Sequence, residues 1–279
     1  MRDYSLLLLL IPALTLSACS DSSVAPVANF VSPESPNPLV TDWVADPHVL
    51  RYEDLYYMYG TNVPTDHYHV YTSTDMYSWE RGPDIFSSGS SSLWSPDVHY
   101  DESTGLFYLW YTADCRIGLA IGSSPLGPFV DQGIKIDDAI DAFLFRDTNG
   151  DWYLYYTAIT VAASEPVVGK LWVQPMLSPI IPKDVAPTLM LEPDQPWEIL
   201  PAVAETTEAP WVFENEGTYY LMYSGNTTGS KHYAIGYATG SSPMGPWKKS
   251  LDSPILSLMD GLSGPGHHSI ATGPDGNLY

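Results

Sequence analysis

The sequence predicts an all-β fold, a five-bladed β-propeller, and three observations predict it. One hairpin pattern is written five times along the chain. Its copies start roughly 45 to 70 residues apart, close to the length of a propeller blade. The composition is that of short strands and many turns: 20 Tyr, 9 Trp, 25 Pro and 21 Gly in 279 residues, and no long segment with a helical period. A β-sandwich is the alternative, but it would not repeat one hairpin and one terminal motif.

The copies run in order. Residues 49–60 read VLRY-ED-LYYMYG, 98–112 VHY-DESTG-LFYLWYT and 143–157 FLFR-DTNGD-WYLYYT. Residues 211–224 read WVFE-NEG-TYYLMYS and 269–279 read SIAT-GPDG-NLY. Each is a β-rich run, a polar or Gly-containing turn, then an aromatic-rich run, which is the signature of a hairpin. Blades one, two and four close on related endings: TSTDMYSWE (72–80), GSSPLGPF (122–129) and GSSPMGPW (240–247). The third copy is looser around LWVQPMLSP (171–179). The fifth stops at Tyr279, inside its second strand, and residues 29–44 can supply at most one or two of the missing strands. An open seam leaves unpaired backbone groups. The expectation is therefore a fragment of a longer chain, or a propeller that needs help to close.

Ahead of the repeats, residues 1–19 carry Arg2, an apolar run from Leu6 to Leu16, and Leu16-Ser17-Ala18-Cys19. The run is shorter than the ~20 residues a bilayer span needs and suits a secretory signal. Its ending resembles a bacterial lipobox, with Cys19 as the lipidated residue; a buried N-terminal helix is the alternative. Residues 20–38, rich in Ser and Pro, read as a flexible tether, and 39–279 as the propeller domain. The expected location is the bacterial cell envelope, with the membrane reached only through that lipid anchor. Cys115, the other of two cysteines, reads as a small buried residue and not a nucleophile.

Charge excludes other partners. Eleven Lys and Arg against 33 Asp and Glu leave a net charge of −22, which argues against nucleic acid and against electrostatic docking on anionic lipid.

In a propeller the first strand of each blade lines the central channel. At its head stand Asp46 in ADPHVL, Asp141 in AIDAFLF and Glu208 in TTEAPWVF, read here as one register. Blade two has Trp94-Ser95-Pro96-Asp97-Val98 and blade five Gly266-His267-His268-Ser269. Carboxylates that converge in a partly dry pocket raise one another's pKa, so one stays protonated while another is ionised. Acid–base cleavage of a glycoside needs that division. The competing reading is local: Asp before Pro commonly caps a turn or strand start.

These motifs, in this order, resemble glycoside hydrolase family 43. The carriers are Ala45-Asp46-Pro47, Trp94–Val98, Ile140-Asp141 with Phe145, Glu208-Ala209-Pro210 leading into Gly217–Ser224, and Gly266–Ser269. The resemblance spans roughly residues 40–279. It implies an inverting enzyme acting on arabinose- or xylose-containing plant polysaccharides or oligosaccharides, most like an α-L-arabinofuranosidase or arabinanase. It implies Asp46 as general base, Glu208 as general acid, and Asp141 as the group that raises and orients Glu208. No cofactor is required for that chemistry. Two departures stand out: Ala209 where the family usually has Gly, and Ala142 where it usually has Pro.

Asp97 reads as structural, two residues deeper into its strand than Asp46. Trp43, Trp94 and Trp211 adjoin the catalytic positions, and Trp94 and Trp211 are the candidate sugar platforms; blade packing is the alternative for aromatic residues here. The resemblance places His267 on the propeller axis beneath the pocket, often near a calcium or other small ion. That makes His267 a candidate pocket and metal residue, with coordination through water, since calcium prefers oxygen ligands; a hydrogen bond within the core is the alternative. The Asn226-Thr227-Thr228 sequon carries little weight in a bacterial chain. Residues 189–198 (LMLEPDQPWE) suit arabinofuranosidase-like members best. The alternatives are a β-xylosidase, a related five-bladed glycosidase acting on fructans or neoagaro-oligosaccharides, and a non-catalytic carbohydrate-binding propeller.

Overall fold

A computed structural model describes Val40 and residues 42–161 and 166–279. The signal peptide, the tether and Cys19 lie outside the described residues. Among those described, no helix is long and apolar enough to cross a membrane; the one helical element is a 3-10 turn, Pro196–Glu198.

Blade one is an antiparallel sheet in chain order: β1 (Val44–Tyr52), β2 (Leu55–Asn62), β3 (Tyr68–Ser73) and β4 (Glu80–Phe86). Blade two repeats it with β5 (Leu93–Asp101), β6 (Leu106–Ala113), β7 (Arg116–Gly122) and β8 (Val130–Ile136). Blade three contains β9 (Ala139–Arg146), β10 (Trp152–Thr160) and the long β11 (Val167–Ser178). Two short strands, β12 (Ile181–Pro182) and β13 (Thr188–Leu191), flank β11, which explains the looser third copy of the motif. The pair β14 (Ile199–Leu200) leads into blade four: β15 (Ala204–Asn215), β16 (Thr218–Gly225), β17 (Ala234–Gly240) and β18 (Lys248–Lys249). Blades three and four are stitched together by a short parallel pairing of Val167–Gly169 with Ala204–Thr206.

The aromatic runs are apolar on both faces because both faces are buried. Tyr57 and Tyr59 of β2 pack toward blade two, against Leu93, Val98 and Leu109. The alternate residues Tyr56 and Met58 pack the other way, with Val44, Val49 and Ala271. The same two-sided arrangement joins blade two to three through Trp110, Leu144 and Trp152, and blade three to four through Tyr155, Val173, Val212 and Tyr223. Each such side chain, fully buried, contributes about 1.5–3 kcal/mol.

Blade five is present as its innermost piece. Ala271 and Tyr279 exchange both backbone hydrogen bonds at 2.9 Å, and Thr272 pairs with Leu278. Its inner segment closes the ring: the Tyr56 hydroxyl donates to the Thr272 carbonyl, and Ala271 and Tyr279 pack on blade one. Ile270 packs on blade four beside Met222 and Tyr237.

Cys115 is not in the core. It is half-buried in the two-residue turn between β6 and β7, where Asp114 and Cys115 both adopt positive φ, as that hairpin turn demands. Burial and the charges of Asp114 and Asp138 push its thiol up, away from nucleophilic character.

Candidate active site

The carboxylates do not precede the inner strands; they sit inside them, at a bulge repeated around the channel. The inner pairing slips between Ala45 and His48, between Trp94 and Asp97, and between Glu208 and Trp211. The β9–β10 pairing slips at the matching place. One residue at each bulge has positive φ, Asp46, Ser95, Asp141 and Ala209, and so does His267 at the head of blade five, all between 42° and 55°. Pro follows in blades one, two and four, and a bulge is where a sheet tolerates a residue without N–H. Asp46 and Asp141 therefore share a register, but Glu208 does not: it stands one residue ahead, and Ala209 occupies the shared position. Positive φ there is also why Gly suits it better than Ala.

Hydroxyls tie three of these positions to the preceding blade. Thr61, Thr112, Thr157 and Ser224 occupy the same place on β2, β6, β10 and β16. The Ser95 amide donates to Thr61 Oγ1 at 2.9 Å, the Asp141 amide to Thr112 Oγ1 at 3.1 Å, and the His267 amide to Ser224 Oγ at 2.8 Å. Blade three departs from this: Thr157 Oγ1 is buried without a partner, and the Ala209 amide favours the charged form of Asp141 instead.

The charged groups meet on the axis. His267 Nδ1 lies 3.1 Å from Asp46 Oδ1, and Thr61 donates to Asp46 Oδ2 at 2.5 Å. Ser95 donates to Asp141 Oδ1 at 2.7 Å. Burial alone would raise Asp46, but the His267 cation and bonds from His267, Thr61 and the Ser95 amide outweigh it and hold the carboxyl below its usual range. Asp141 is raised by burial and by Asp46, against the pull of His267. Glu208 is pushed up to about 8, first by burial and then by the charge of Asp141. The buried Tyr233 hydroxyl faces Glu208 without closing a hydrogen bond of standard geometry. Burial works against the charge of His267, yet Asp46 and Asp141 lift its imidazole to about 9. Next to that cation His268 is driven down to about 3 by burial and repulsion, and neither of its ring nitrogens has a partner. At neutral pH the site thus holds an ionised Asp46, a protonated Glu208 and a cationic His267. With its Nδ1 engaged by Asp46, and with calcium preferring oxygen ligands, His267 would reach an ion through water rather than by direct ligation.

The next level down the channel is structural. Asp97 accepts the Leu144 amide at 3.0 Å and pairs with His48 Nδ1 at 3.1 Å, tying blades one, two and three together. Trp211 lines the channel at this level, 5.4 Å from the His48 ring and 4.4 Å from Phe143 between centroids. Trp94 shares the register of Glu208 and is half-buried; Trp43 is 38% exposed. Residues 189–198 end in a buried anchor rather than a pocket wall. Glu198, wholly buried, accepts from Tyr223, Lys249 and the amides of Asp194 and Gln195 at 2.7–2.9 Å.

Sequence reasoning missed Thr61, Ser95, Thr112, Ser224 and Tyr233. Thr61, Thr112 and Ser224 had a signal, since a Thr or Ser ends, or in the first copy directly follows, the aromatic run of four hairpin copies. Tyr233 had none: Gly266 is needed because a Cβ there would stand 1.9 Å from the Tyr233 ring, a contact made across two blades.

Residues 35–279 match the family model described as glycosyl hydrolases family 43. A crystal structure of a thermostable family-43 glycoside hydrolase is 33% identical, with a TM-score of 0.77 over 84% of this chain and 81% of that one. An endo-1,4-β-xylanase structure from Bacteroides thetaiotaomicron is 32% identical, with a TM-score of 0.76 over 84% and 82%. A xylosidase/arabinosidase of Bacteroides ovatus is 27% identical over 82% of each chain. A β-D-galactofuranosidase of Aspergillus niger is 27% identical over 87% of this chain and 74% of its own. The chain belongs to family 43 of the glycosyl hydrolases, five-bladed propeller enzymes that cleave glycosidic bonds with inversion.

Proposed function

We propose that this enzyme removes arabinofuranosyl units from arabinoxylan, arabinan or their oligosaccharides. Asp46 is the general base: its carboxylate, kept ionised by His267 and Thr61, takes a proton from the attacking water. Glu208 is the general acid: held protonated at neutral pH, it delivers its proton to the leaving oxygen. Asp141 raises Glu208 by its charge. Inversion requires room for water between base and acid, about 6.5–9.5 Å between carboxyls. The observation that carries this reading is the opposite displacement of two carboxyl groups around one cation.

The names of the relatives support a furanoside. They include, besides the galactofuranosidase, an α-L-arabinofuranosidase of Humicola insolens and an arabinoxylan arabinofuranohydrolase of Bacillus subtilis. The chain spans 57% and 56% of the last two. A β-xylosidase of Xylanibacter ruminicola, 30% identical over 64% of this chain, favours the second reading, a xyloside substrate. Aryl α-L-arabinofuranoside and aryl β-D-xyloside assayed side by side, with Asp46→Asn as control, decide between them. Turnover on the arabinofuranoside that the control lacks supports the proposal; turnover confined to the xyloside overturns it.

The leader supports export, and an exo-arabinofuranosidase relative from Streptomyces avermitilis is described as extracellular. We read Cys19 as the site of a lipid anchor. Metabolic labelling with a fatty acid should mark the chain and lose that mark in Cys19→Ala; equal labelling of both would refute it.

A further inference from the structure

On the rim of blade one, away from the axial carboxylates, two histidines and an aspartate converge. His67 and His69 lie two residues apart, so they point to the same face at the start of β3. Asp84 of β4 stands directly across from His69 in the ladder. One ligand atom from each of the three falls within 4.8 Å of the others. We propose that His67, His69 and Asp84 form a binding site for a divalent transition metal of the zinc type.

Geometry supports it first. Zinc bonds of about 2.1 Å at tetrahedral angles put neighbouring ligand atoms about 3.4 Å apart. His67 Nε2 and Asp84 Oδ1 are 3.6 Å apart before any ion draws them together. Both histidines also have their other nitrogen engaged, as metal-binding imidazoles do. His67 Nδ1 meets Asp66 Oδ1 at 2.7 Å, which leaves Nε2 as the lone-pair nitrogen facing Asp84. The Tyr71 hydroxyl donates to Asp42 at 2.7 Å, so its oxygen is left to accept from His69 Nε2 at 3.0 Å. Asn62 Nδ2 stands farther from the same nitrogen, at 3.3 Å. His69 Nδ1, on the other side of the ring, faces the Arg81 guanidinium.

Arg81 marks the place a cation would take. Its guanidinium lies 3.5 Å from His69 Nδ1 and 3.8 Å from Asp84 Oδ1, and its side chain is 52% exposed, free to swing into solvent. His69 is buried while Asp84 is exposed, so the fourth position opens to water. Two imidazoles and one carboxylate select zinc, copper or nickel over calcium.

The test is calorimetric titration of the untagged full chain with zinc chloride in a non-chelating buffer near neutral pH. One equivalent should bind saturably in the wild type and in Asp46→Asn. His67→Ala and Asp84→Asn, at positions that are not buried, should weaken it at least about tenfold. Arg81→Ala should bind tighter, because a competing cation is removed. Absence of saturable binding would overturn the proposal. So would unchanged affinity in both His67→Ala and Asp84→Asn.

Discussion

Replacing Glu208 by Gln should stabilise the protein in alkaline solution while it destroys turnover of natural substrates. A free Glu titrates near 4.5 and Glu208 in the folded enzyme near 8, because burial and Asp141 oppose its charge. Below 4.5 both states hold the proton and the group contributes nothing. Between 4.5 and 8 the folded state keeps a proton that the unfolded chain has lost, so stability falls as pH rises. The slope is about 1.4 kcal/mol per pH unit, and from pH 5 to 8 the loss is about 3 kcal/mol. Gln has nearly the same shape and carries no such penalty. For a domain of this size about 3 kcal/mol corresponds to roughly 6–12 °C in Tm. Thermal melts of both proteins across pH 5–8 measure it. The two should melt within a few degrees of each other at pH 5 and diverge steadily, with the variant higher at pH 8. Parallel curves would refute the assignment of a raised pKa to Glu208.

His267 gives a related expectation at higher pH. Its raised pKa makes its contribution complete below 6.5 and lost as pH climbs through about 9, so Glu208→Gln should still lose stability over pH 7–10, as followed by the same melts. Thr61→Val removes the hydroxyl that donates to Asp46 and accepts the Ser95 amide. It should cost about 1–3 kcal/mol in denaturant unfolding and move the acid limb of kcat/KM upward; an unmoved limb would detach Thr61 from the base. Asp97→Ala leaves the Leu144 amide and His48 unpaired and should cost about 2–4 kcal/mol, measurable as a shift of the urea midpoint. Ala209→Gly relieves a left-handed φ of 55° at a buried bulge, and a change within about 1 kcal/mol, neutral or stabilising, is expected from the same midpoint.

The blades were legible because each hairpin is written with local signals: two-sided aromatic runs, turn residues at fixed places, one closing motif. The carboxylates were legible by type and spacing. Their exact register was not, because a bulge is a property of two paired strands and Asp-Pro reads equally as a strand start. Glu208 consequently looked equivalent to Asp46, whereas Ala209 holds that place. The charge states were harder still. Asp46 and His267 are the innermost groups of the first and last blades, and only closure of the ring brings them to 3.1 Å. Tyr233 reaches Glu208 from a loop, across Gly266 of another blade, and no local pattern encodes such a meeting. Trp211 adjoins the catalytic residues in the sequence, and its ring also packs the channel on Phe143 and His48.

The central claim is that Glu208 donates a proton to the leaving group while Asp46 activates water. Leaving-group dependence in Glu208→Gln tests it most directly. On an arabinoxylo-oligosaccharide, whose leaving oxygen needs a proton, turnover should fall by about 10²–10⁴. On a dinitrophenyl arabinofuranoside, whose leaving group departs as a stable anion, most of the wild-type rate should survive, and Asp46→Asn should be inactive on both. Equal losses on the two substrates in Glu208→Gln would contradict the account.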